Sequence, residues 1–299
     1  KKGLYLTFLI NKMSKKVLVT GGSGFIGSHI VDQLVKKKYK VTIIDKIQAK
    51  RKDVKYIRSN NLKLNFLKKA TKNIDYVFHL AAVSDINKVS SNPIYTIENN
   101  ILATAYLLEA SRFNNVKKFL FASSMYAHGR AGNLYTTSKK ASELMIKDYS
   151  LLYNLKYTIL RFSTAFGERN RNVDVISIFI RRCLKNLNIY IHGDGKQTRN
   201  FFNVKDIAEA SVTALSKKFT NRSMTIGTKI NTKVIDLAKK IIKLTKSKSK
   251  IIIIKKKKRF DDFDSKKINK IDNKNFIKLN KKYNLELDLK NYIKTLKVN

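Results

Sequence analysis

The amino-acid sequence predicts an α/β protein built on a doubly wound parallel sheet, with a smaller α/β lobe at its C-terminal end. Short, continuously apolar segments, typical of strands buried on both faces, alternate with amphipathic helical segments. A glycine-rich turn joins the first strand to the first helix, as in Rossmann-type folds. The chain has 299 residues, 43% of them hydrophobic, which is enough to form a large core.

The alternation runs through roughly the first half of the chain. VLVT is apolar throughout, and KVTIID forms a second strand that ends in Asp45. The helix predicted between them, from about Phe25 to Lys37, carries apolar residues on one face, at 26, 30, 31, 34 and 35. Further buried strands are predicted at 76–82, 117–124 and 157–163, separated by helices from 92 and from 136. This spacing indicates a parallel sheet with helices on both faces.

After about residue 165 the pattern changes. A helix is predicted in NVDVISIFIRRCLKN, a strand, loop and helix in the segment that begins IYIHG, a short strand in SMTIGT and an amphipathic helix in KVIDLAKKIIKLT. No glycine/serine linker separates these elements from the first half, so a second lobe is expected to grow out of the loops of the first domain. We predict an N-terminal extension over 1–13, a first domain over 14–168 with returning segments near 200–228, and a second lobe over 169–299.

The chain is strongly basic, with 63 Lys and Arg residues against 21 Asp and Glu and a formal net charge of +42. Such a charge can indicate binding to nucleic acid or to an anionic membrane. However, lysine is spread along nearly the whole chain, which a biased codon composition would also produce. Nucleic-acid binding is therefore not predicted as the main function, although the charge would attract anionic small molecules at low salt.

The single cysteine, Cys183, excludes an internal disulfide framework and suits a reducing cytoplasm. The four histidines lack metal-ligand spacing, so no metal site is expected. The opening residues loosely resemble a signal peptide, but the apolar run is short and Met13 is the expected start. No stretch is apolar for the length of a membrane span. We therefore expect a soluble, cytoplasmic protein.

The turn TGGSGFIGSH places Gly21, Gly24 and Gly27 between an apolar strand and an amphipathic helix. Glycines let the backbone approach a pyrophosphate, and the helix N-terminus supplies N–H donors. Asp45, 18 residues after Gly27, ends the next strand, where its carboxylate can bond both ribose hydroxyls and repel a 2′-phosphate. The pattern predicts that the first domain binds NAD rather than NADP, a preference that the neighbouring Lys46 softens.

Ser124, Tyr135 and Lys139 stand in one short segment. If the last part is helical, Tyr135 and Lys139 share a face one turn apart. An ammonium there would favour the phenolate and lower the tyrosine pKa, giving a general acid/base with Ser124 as a hydrogen-bonding partner. Alternatively, the segment is a surface helix that carries a Tyr and a Lys without catalytic role.

The motifs, taken in order, resemble the extended short-chain dehydrogenase/reductase family, and within it the NAD-dependent epimerase/dehydratase branch that acts on nucleotide sugars. The matching pieces, over residues 16 to about 228, are TGGSGFIGSH, Asp45, HLAA, NNILAT, FASSMYAHG, YTTSK, LRFSTAFG and GDGKQTRNFFNVKD. The resemblance implies that Lys139 holds the nicotinamide ribose and lowers the pKa of Tyr135. Tyr135 would remove a proton from a sugar hydroxyl, and Ser124 would hydrogen-bond the same oxygen.

The resemblance also implies two sets of binding residues. The expected cofactor contacts are Gly21, Gly24, Phe25, Ile26, Gly27, Asp45, Lys46, Asn60, Leu80, Ala81, Ala82, Asn100, Ser123, Tyr135, Lys139 and Phe162. The expected substrate contacts are Ser84, Ser124, Thr164, Arg199 and Arg259. Asn100 is expected to brace the active-site helix as well, and Arg199 to meet the nucleotide diphosphate. Arg199 and Arg259 could instead be solvated surface charges. The hydroxyls of Ser84 and Thr164 could instead be hydrogen-bonded within their loops and make no contact with a substrate.

Members of the branch that eliminate water carry carboxylic acids directly after the Ser124 position, where this chain has Met125 and Tyr126. Dehydration is therefore disfavoured, and we predict an epimerase that inverts C4 of a UDP-sugar through a transient 4-keto intermediate. The alternatives are a dehydratase, a keto-sugar reductase, or a non-catalytic member that binds NAD or RNA. The resemblance further implies a homodimer formed through helices at 92–113 and 136–154.

Overall fold

The computed structural model describes residues 14–60, 63–129, 133–170, 174–254, 273–279 and 283–298. Seven parallel strands form the main sheet in the order β11-β6-β5-β4-β1-β2-β3. Their bounds are β1 Lys16–Thr20, β2 Lys40–Asp45, β3 Lys55–Arg58, β4 Tyr76–His79, β5 Lys118–Ser124, β6 Tyr157–Phe162 and β11 Arg222–Ile226. The predicted doubly wound parallel sheet is confirmed.

Helices cover both faces of this sheet. Helix α1 (Phe25–Lys36) and helix α8 (Val204–Thr213) pack with each other and with Val17 and Val19 of β1 on one face. Leu18 points to the other face, where it shares a core with helices α2 (Leu64–Ala70), α5 (Ala103–Phe113) and α6 (Asn133–Tyr153). The alternation of side chains along β1 thus supplies two cores from one strand.

The helix predicted from residue 92 is interrupted. Short helices α3 (Ile86–Ser91) and α4 (Pro93–Ile97) come first, and a π-helical turn over Glu98–Leu102 then leads into α5. A π turn inserts an extra residue into the helix, and such turns are frequent at functional sites. Here it turns Asn100 inward, where only 2% of the residue is exposed.

The second lobe has a core of its own. It is built on helices α7 (Val175–Leu184), α9 (Val234–Thr245) and α10 (Leu285–Val298), whose apolar faces meet around Phe179, Leu237 and Leu289. Three two-stranded sheets complete it: β7 (Thr164–Phe166) with β10 (Phe201–Asn203), β9 (Thr198–Arg199) with β12 (Thr232–Lys233), and β8 (Ile189–His192) with β13 (Ile251–Ile254). Between these elements, the chain returns to the main sheet through α8 and β11.

Within the described part of the chain, no helix combines the length and the apolar character that crossing a membrane requires.

Candidate active site

The glycine turn after β1 has no room for side chains at two positions. Gly21 has φ 74°, and a Cβ there would lie 2.6 Å from the backbone nitrogen of Ala81. A Cβ on Gly27 would lie 2.1 Å from the carbonyl oxygen of Gly21. The turn therefore brings the backbones of β1, α1 and the loop after β4 together.

The same turn presents donors suited to a pyrophosphate. Gly24 caps α1 without a side-chain hydrogen bond, and the first turn of this helix carries no acidic residue, so its N–H groups remain available to an anion. The hydroxyl of Ser23 is buried and finds no hydrogen-bond partner among the described residues. These features fit the diphosphate of a dinucleotide. Phe25 and Ile26 continue into the first turn of α1, and the loop 80–82 lies against Gly21.

Asp45 is held beside this turn by its own carboxylate. Oδ2 accepts a hydrogen bond from the backbone N–H of Ser23 (2.9 Å) and Oδ1 accepts one from Ile47 (3.0 Å). The position next to the phosphate turn is where a ribose diol would meet the carboxylate. Lys46 and Asn60 are exposed near the ends of β2 and β3, in keeping with peripheral contacts.

Asn100 joins the loop after β4 to α6. Its Oδ1 accepts a hydrogen bond from Val83 N (2.7 Å), and its Nδ2 donates to Val83 O (3.0 Å) and to Ser138 Oγ (3.0 Å). The bracing function expected for Asn100 is therefore present. Its side chain is buried and hydrogen-bonded to protein at both ends, and its expected contact with the cofactor stays a prediction.

His79 links this brace to the phosphate turn. Thr20 Oγ1 lies 2.7 Å from His79 Nδ1, His79 Nε2 lies 2.9 Å from Thr104 Oγ1, and Thr104 Oγ1 donates to Asn100 O (2.7 Å). Because the single Thr104 proton goes to Asn100, His79 must donate from Nε2 and accept at Nδ1. Burial lowers the pKa of His79 to about 3, and the charge of Lys139 acts in the same direction. The imidazole is therefore neutral, and its two hydrogen bonds connect Thr20 with Thr104.

Ser124, Tyr135 and Lys139 come together where β5 ends and α6 begins. A side-chain hydrogen bond connects Tyr135 with Ser124. Lys139 Nζ donates to Ala122 O (2.7 Å) and lies 4.7 Å from the Phe121 ring centroid and 5.9 Å from that of Tyr135. The predicted grouping of hydroxyl, phenol and ammonium is therefore present.

The electrostatics of these groups differ from the expectation. Burial raises the pKa of Tyr135 to about 12, and the Ser124 hydrogen bond only partly opposes this. Burial also lowers the pKa of Lys139 to about 8, against the raising effect of the Glu143 carboxylate. The expectation that Lys139 lowers the tyrosine pKa is wrong for the chain by itself, because the ammonium is directed to Ala122 O and desolvation of the phenol dominates.

Ser123 directs its hydroxyl into the protein. The residue is 3% exposed, and its hydroxyl donates to Glu143 Oε1 at 2.5 Å. Successive residues of a strand point to opposite faces, so Ser124 faces the site while Ser123 faces the protein. The Ser123 hydroxyl is thus engaged within the protein, and the expected contact of this residue with the cofactor stays a prediction. Phe162, at the end of the adjacent strand β6, is 7% exposed.

The expected substrate residues lie on loops that leave the main sheet. Thr164 N donates to Asn200 O (2.9 Å) across β7 and β10, and the half-buried Arg199 donates from Nη1 to Thr198 O (3.0 Å). Ser84 is exposed at the end of the loop after β4. Arg259 lies outside the described residues.

Two buried features of the site escaped the sequence analysis. Asn200 secures the 228–230 loop: its Oδ1 accepts from Thr228 N (3.1 Å) and its Nδ2 donates to Ile230 O (3.2 Å). Glu143 forms an ion pair with Arg161 beneath Ser123. The position of Glu143, four residues after Lys139 on the same helix face, was the available signal.

Comparison with known proteins places the chain among related sequences and folds. Residues 17–227 match the model of the NAD dependent epimerase/dehydratase family. A protein of Methanocaldococcus jannaschii named "Putative UDP-glucose 4-epimerase" is 39% identical over 74% of this chain and 79% of its own length. A UDP-N-acetyl-alpha-D-glucosaminuronate decarboxylase of Bacillus cytotoxicus is 32% identical over 80% of this chain and 83% of its own. The crystal structure of the Thermotoga maritima UDP-glucose 4-epimerase with UDP-glucose has a TM-score of 0.84 and 27% identity, covering 95% of this chain and 99% of that one.

Proposed function

The chain belongs to the NAD-dependent epimerase/dehydratase family, and we propose that within it this protein is a UDP-sugar 4-epimerase. The observation that carries the proposal is the grouping of Ser124, Tyr135 and Lys139 without an acid at the positions that follow. Met125 is 5% exposed and belongs to the interior, and Tyr126 carries a phenol. Inversion at C4 needs only the groups present, whereas elimination of water needs a carboxylic acid.

The residues of the first domain fit NAD. The turn over Gly21, Gly24 and Gly27 would hold its diphosphate, Asp45 its adenine-side ribose and Lys139 its second ribose. When bound, NAD supplies reversible acceptance of a hydride from the sugar carbon.

The side chains of the site would then transfer the proton of the sugar 4-hydroxyl. Tyr135 takes the proton of the 4-hydroxyl, and Ser124 orients the same oxygen by a hydrogen bond. With a pKa of about 8, Lys139 is an ammonium at neutral pH. We propose that in the complex with NAD and substrate its field offsets part of the desolvation that raises the pKa of Tyr135 in the chain by itself. After the keto sugar has rotated in the site, Tyr135 returns the proton to the C4 oxygen, which gives the opposite configuration at C4.

We propose a UDP-sugar as the substrate because similar proteins act on UDP-sugars and because Arg199 can meet a diphosphate. The direct test mixes the purified protein and NAD with a panel of UDP-, dTDP- and GDP-sugars. Products are followed by mass spectrometry and proton NMR. A new sugar configuration at unchanged mass supports the epimerase and names its substrate. Loss of water or of carbon dioxide would contradict it and point to a dehydratase or a decarboxylase.

Replacing Asp45 by Ala is expected to weaken NAD binding by about 10–100-fold, because charge-assisted hydrogen bonds contribute about 1.5–3 kcal/mol each. NADP binding should weaken less, since the carboxylate that repels the 2′-phosphate is gone. Titration calorimetry with both nucleotides measures the two effects.

Asp53→Ala is the matched control for this change. Asp53 is also an acidic residue after β2, but its carboxylate pairs with Arg51 and is 54% exposed. Equal losses of NAD affinity in both variants would contradict the assignment of Asp45 to the ribose.

We also propose that the protein is a homodimer held by α5 and α6. Leu144 and Leu151 lie seven residues apart on one face of α6 and are 60% and 84% exposed. Leu102 and Phe113, on the neighbouring π turn and α5, are 42% and 58% exposed. Water-exposed leucines at this spacing are costly unless another apolar surface covers them.

Leu144→Asp is expected to halve the mass measured by sedimentation, whereas Leu187→Asp, in an exposed turn of the second lobe, should leave it unchanged. A monomeric wild-type protein would overturn the dimer proposal without affecting the proposed reaction.

A further inference from the structure

Beneath the active-site segment lies a buried network that the proposed reaction does not use. Arg161 Nη2 lies 2.5 Å from Glu143 Oε2, and Arg161 Nε donates to Glu143 Oε1 at 2.9 Å. The Glu143 side chain is 4% exposed and that of Arg161 18%. Ser123 Oγ donates to the same carboxylate at 2.5 Å. The carboxylate is therefore held by three hydrogen bonds, from two different strands, in one orientation.

Glu143 stands one helical turn after Lys139, so its carboxylate and the ammonium share a face of α6. The two charges do not form a direct ion pair among the described contacts, because Arg161 and Ser123 hold the carboxylate and Ala122 O receives the ammonium. An effect of Glu143 on Lys139 would therefore act through its electric field, since no described hydrogen bond joins the two residues.

Several other ionisable groups face this region. His79, from β4, is buried, and His128, from the turn after β5, is half-buried; desolvation lowers their pKa to about 3 and about 4 respectively. Arg161 Nη1 lies 3.3 Å from His128 Nδ1, and since Arg only donates, that nitrogen is the acceptor of a neutral ring. Burial raises the pKa of Tyr135 to about 12, so its phenol is uncharged at neutral pH in the chain by itself. Among the described residues, the fixed charges of this network are thus those of Glu143 and Arg161.

We propose that Glu143 is a positioning residue that sets the charge state of Lys139, with its carboxylate fixed in place by the two contacts from Arg161. The proposal rests on the proposed function only for the catalytic role of Lys139. The electrostatic coupling between Glu143 and Lys139 is a property of the protein without substrate or cofactor. Lys139 is 4% exposed, and burial penalises its ammonium. The nearby carboxylate compensates and keeps Lys139 charged at neutral pH.

The test measures the protonation of Lys139 without substrate. Competitive labelling with acetic anhydride across pH, followed by mass spectrometry of the Lys139 peptide, gives its pKa directly. In Glu143→Gln this pKa is expected to fall by roughly one unit, since a nearby opposite charge is lost while Arg161 remains. In the double variant Glu143→Gln/Arg161→Gln it should fall by less. The double variant leaves no unpaired buried charge, so it keeps the test valid if the single variant does not fold.

Two controls separate charge from structure. Ser123→Ala removes a hydrogen bond to Glu143 without changing charge, and Glu109→Gln removes a carboxylate that pairs with Arg112 on α5. Both should leave the pKa of Lys139 in place. An unchanged pKa in the folded Glu143 variants, or an equal shift in Ser123→Ala, would overturn the proposal.

Turnover gives an independent readout. If Lys139 must be an ammonium, the alkaline limb of the pH–rate profile should move to lower pH in Glu143→Gln by the same amount as the labelling pKa. A labelling shift in a protein that turns over no sugar would sustain the coupling and refute the proposed function instead.

Discussion

Tyr135→Phe is expected to lower kcat for epimerisation by about 10²–10⁴-fold, the usual contribution of a positioned general acid/base. The phenol is joined to Ser124 by a hydrogen bond and lies one turn before Lys139, the position expected of the acid/base. The NAD content of the purified variant should stay at the wild-type level, because the ring is retained. Steady-state turnover of the substrate found in the panel, with NAD released and quantified from the same sample, measures both.

Tyr149→Phe is the matched control for this variant. Tyr149 lies on the same helix, and its hydroxyl donates only to Glu109, at 3.5 Å. Its loss should change kcat less than about twofold, as expected of a surface substitution. Comparable losses in the two variants, or near-normal turnover in Tyr135→Phe, would show that the phenol of Tyr135 is not the acid/base.

The main sheet could be predicted because its strands are buried on both faces. VLVT, KVTIID and the strands that begin near 76, 117 and 157 are confirmed as β1, β2, β4, β5 and β6. Strand β3 escaped prediction, since at the edge of the sheet its KYIR sequence needs no continuous apolar run. Helix α10 escaped because its lysines obscure the apolar positions that pack on the second lobe.

The positions of site residues could be predicted where a sequence motif fixes the local geometry. Properties that depend on burial, such as protonation states, could be predicted less well. The glycine turn, Asp45 and the Ser124, Tyr135 and Lys139 group occupy the expected places. The protonation of Tyr135 and Lys139 could not be predicted, because it depends on desolvation, which the linear sequence does not reveal.

The hydrogen bond between Ser123 and Glu143 could not be predicted from the sequence either. Only folding brings Glu143 of α6 and Arg161 of β6 against the inward face of β5. A buried ion pair of this kind is weak evidence for stability, because desolvation offsets much of its attraction. The pair lies next to the active-site lysine, where we have proposed an electrostatic role for it.

Gly27→Ala is expected to abolish stable NAD retention and to destabilise the fold. The new Cβ would lie 2.1 Å from the carbonyl oxygen of Gly21, and that oxygen belongs to the turn backbone, which cannot swing aside as a side chain would. Overpacking of this kind costs about 1–3 kcal/mol, which lowers Tm by several degrees in a chain of this size. Displacing Gly21 would also move the turn against Ala81, so the diphosphate would lose its donors. Thermal unfolding and the NAD content after purification measure the two effects.

Gly24→Ala separates these two effects, because Gly24 has φ −72° and a Cβ there would lie 3.2 Å from the same oxygen. A shift of a few tenths of an ångström accommodates that contact, so Tm should stay within about 2 °C of the wild-type value. The methyl group would nevertheless stand at the N-terminus of α1, where the diphosphate must approach the backbone, and NAD should bind about tenfold more weakly. Wild-type NAD affinity in Gly24→Ala, together with an unaltered Tm in Gly27→Ala, would mean that this turn neither holds the dinucleotide nor depends on its close packing.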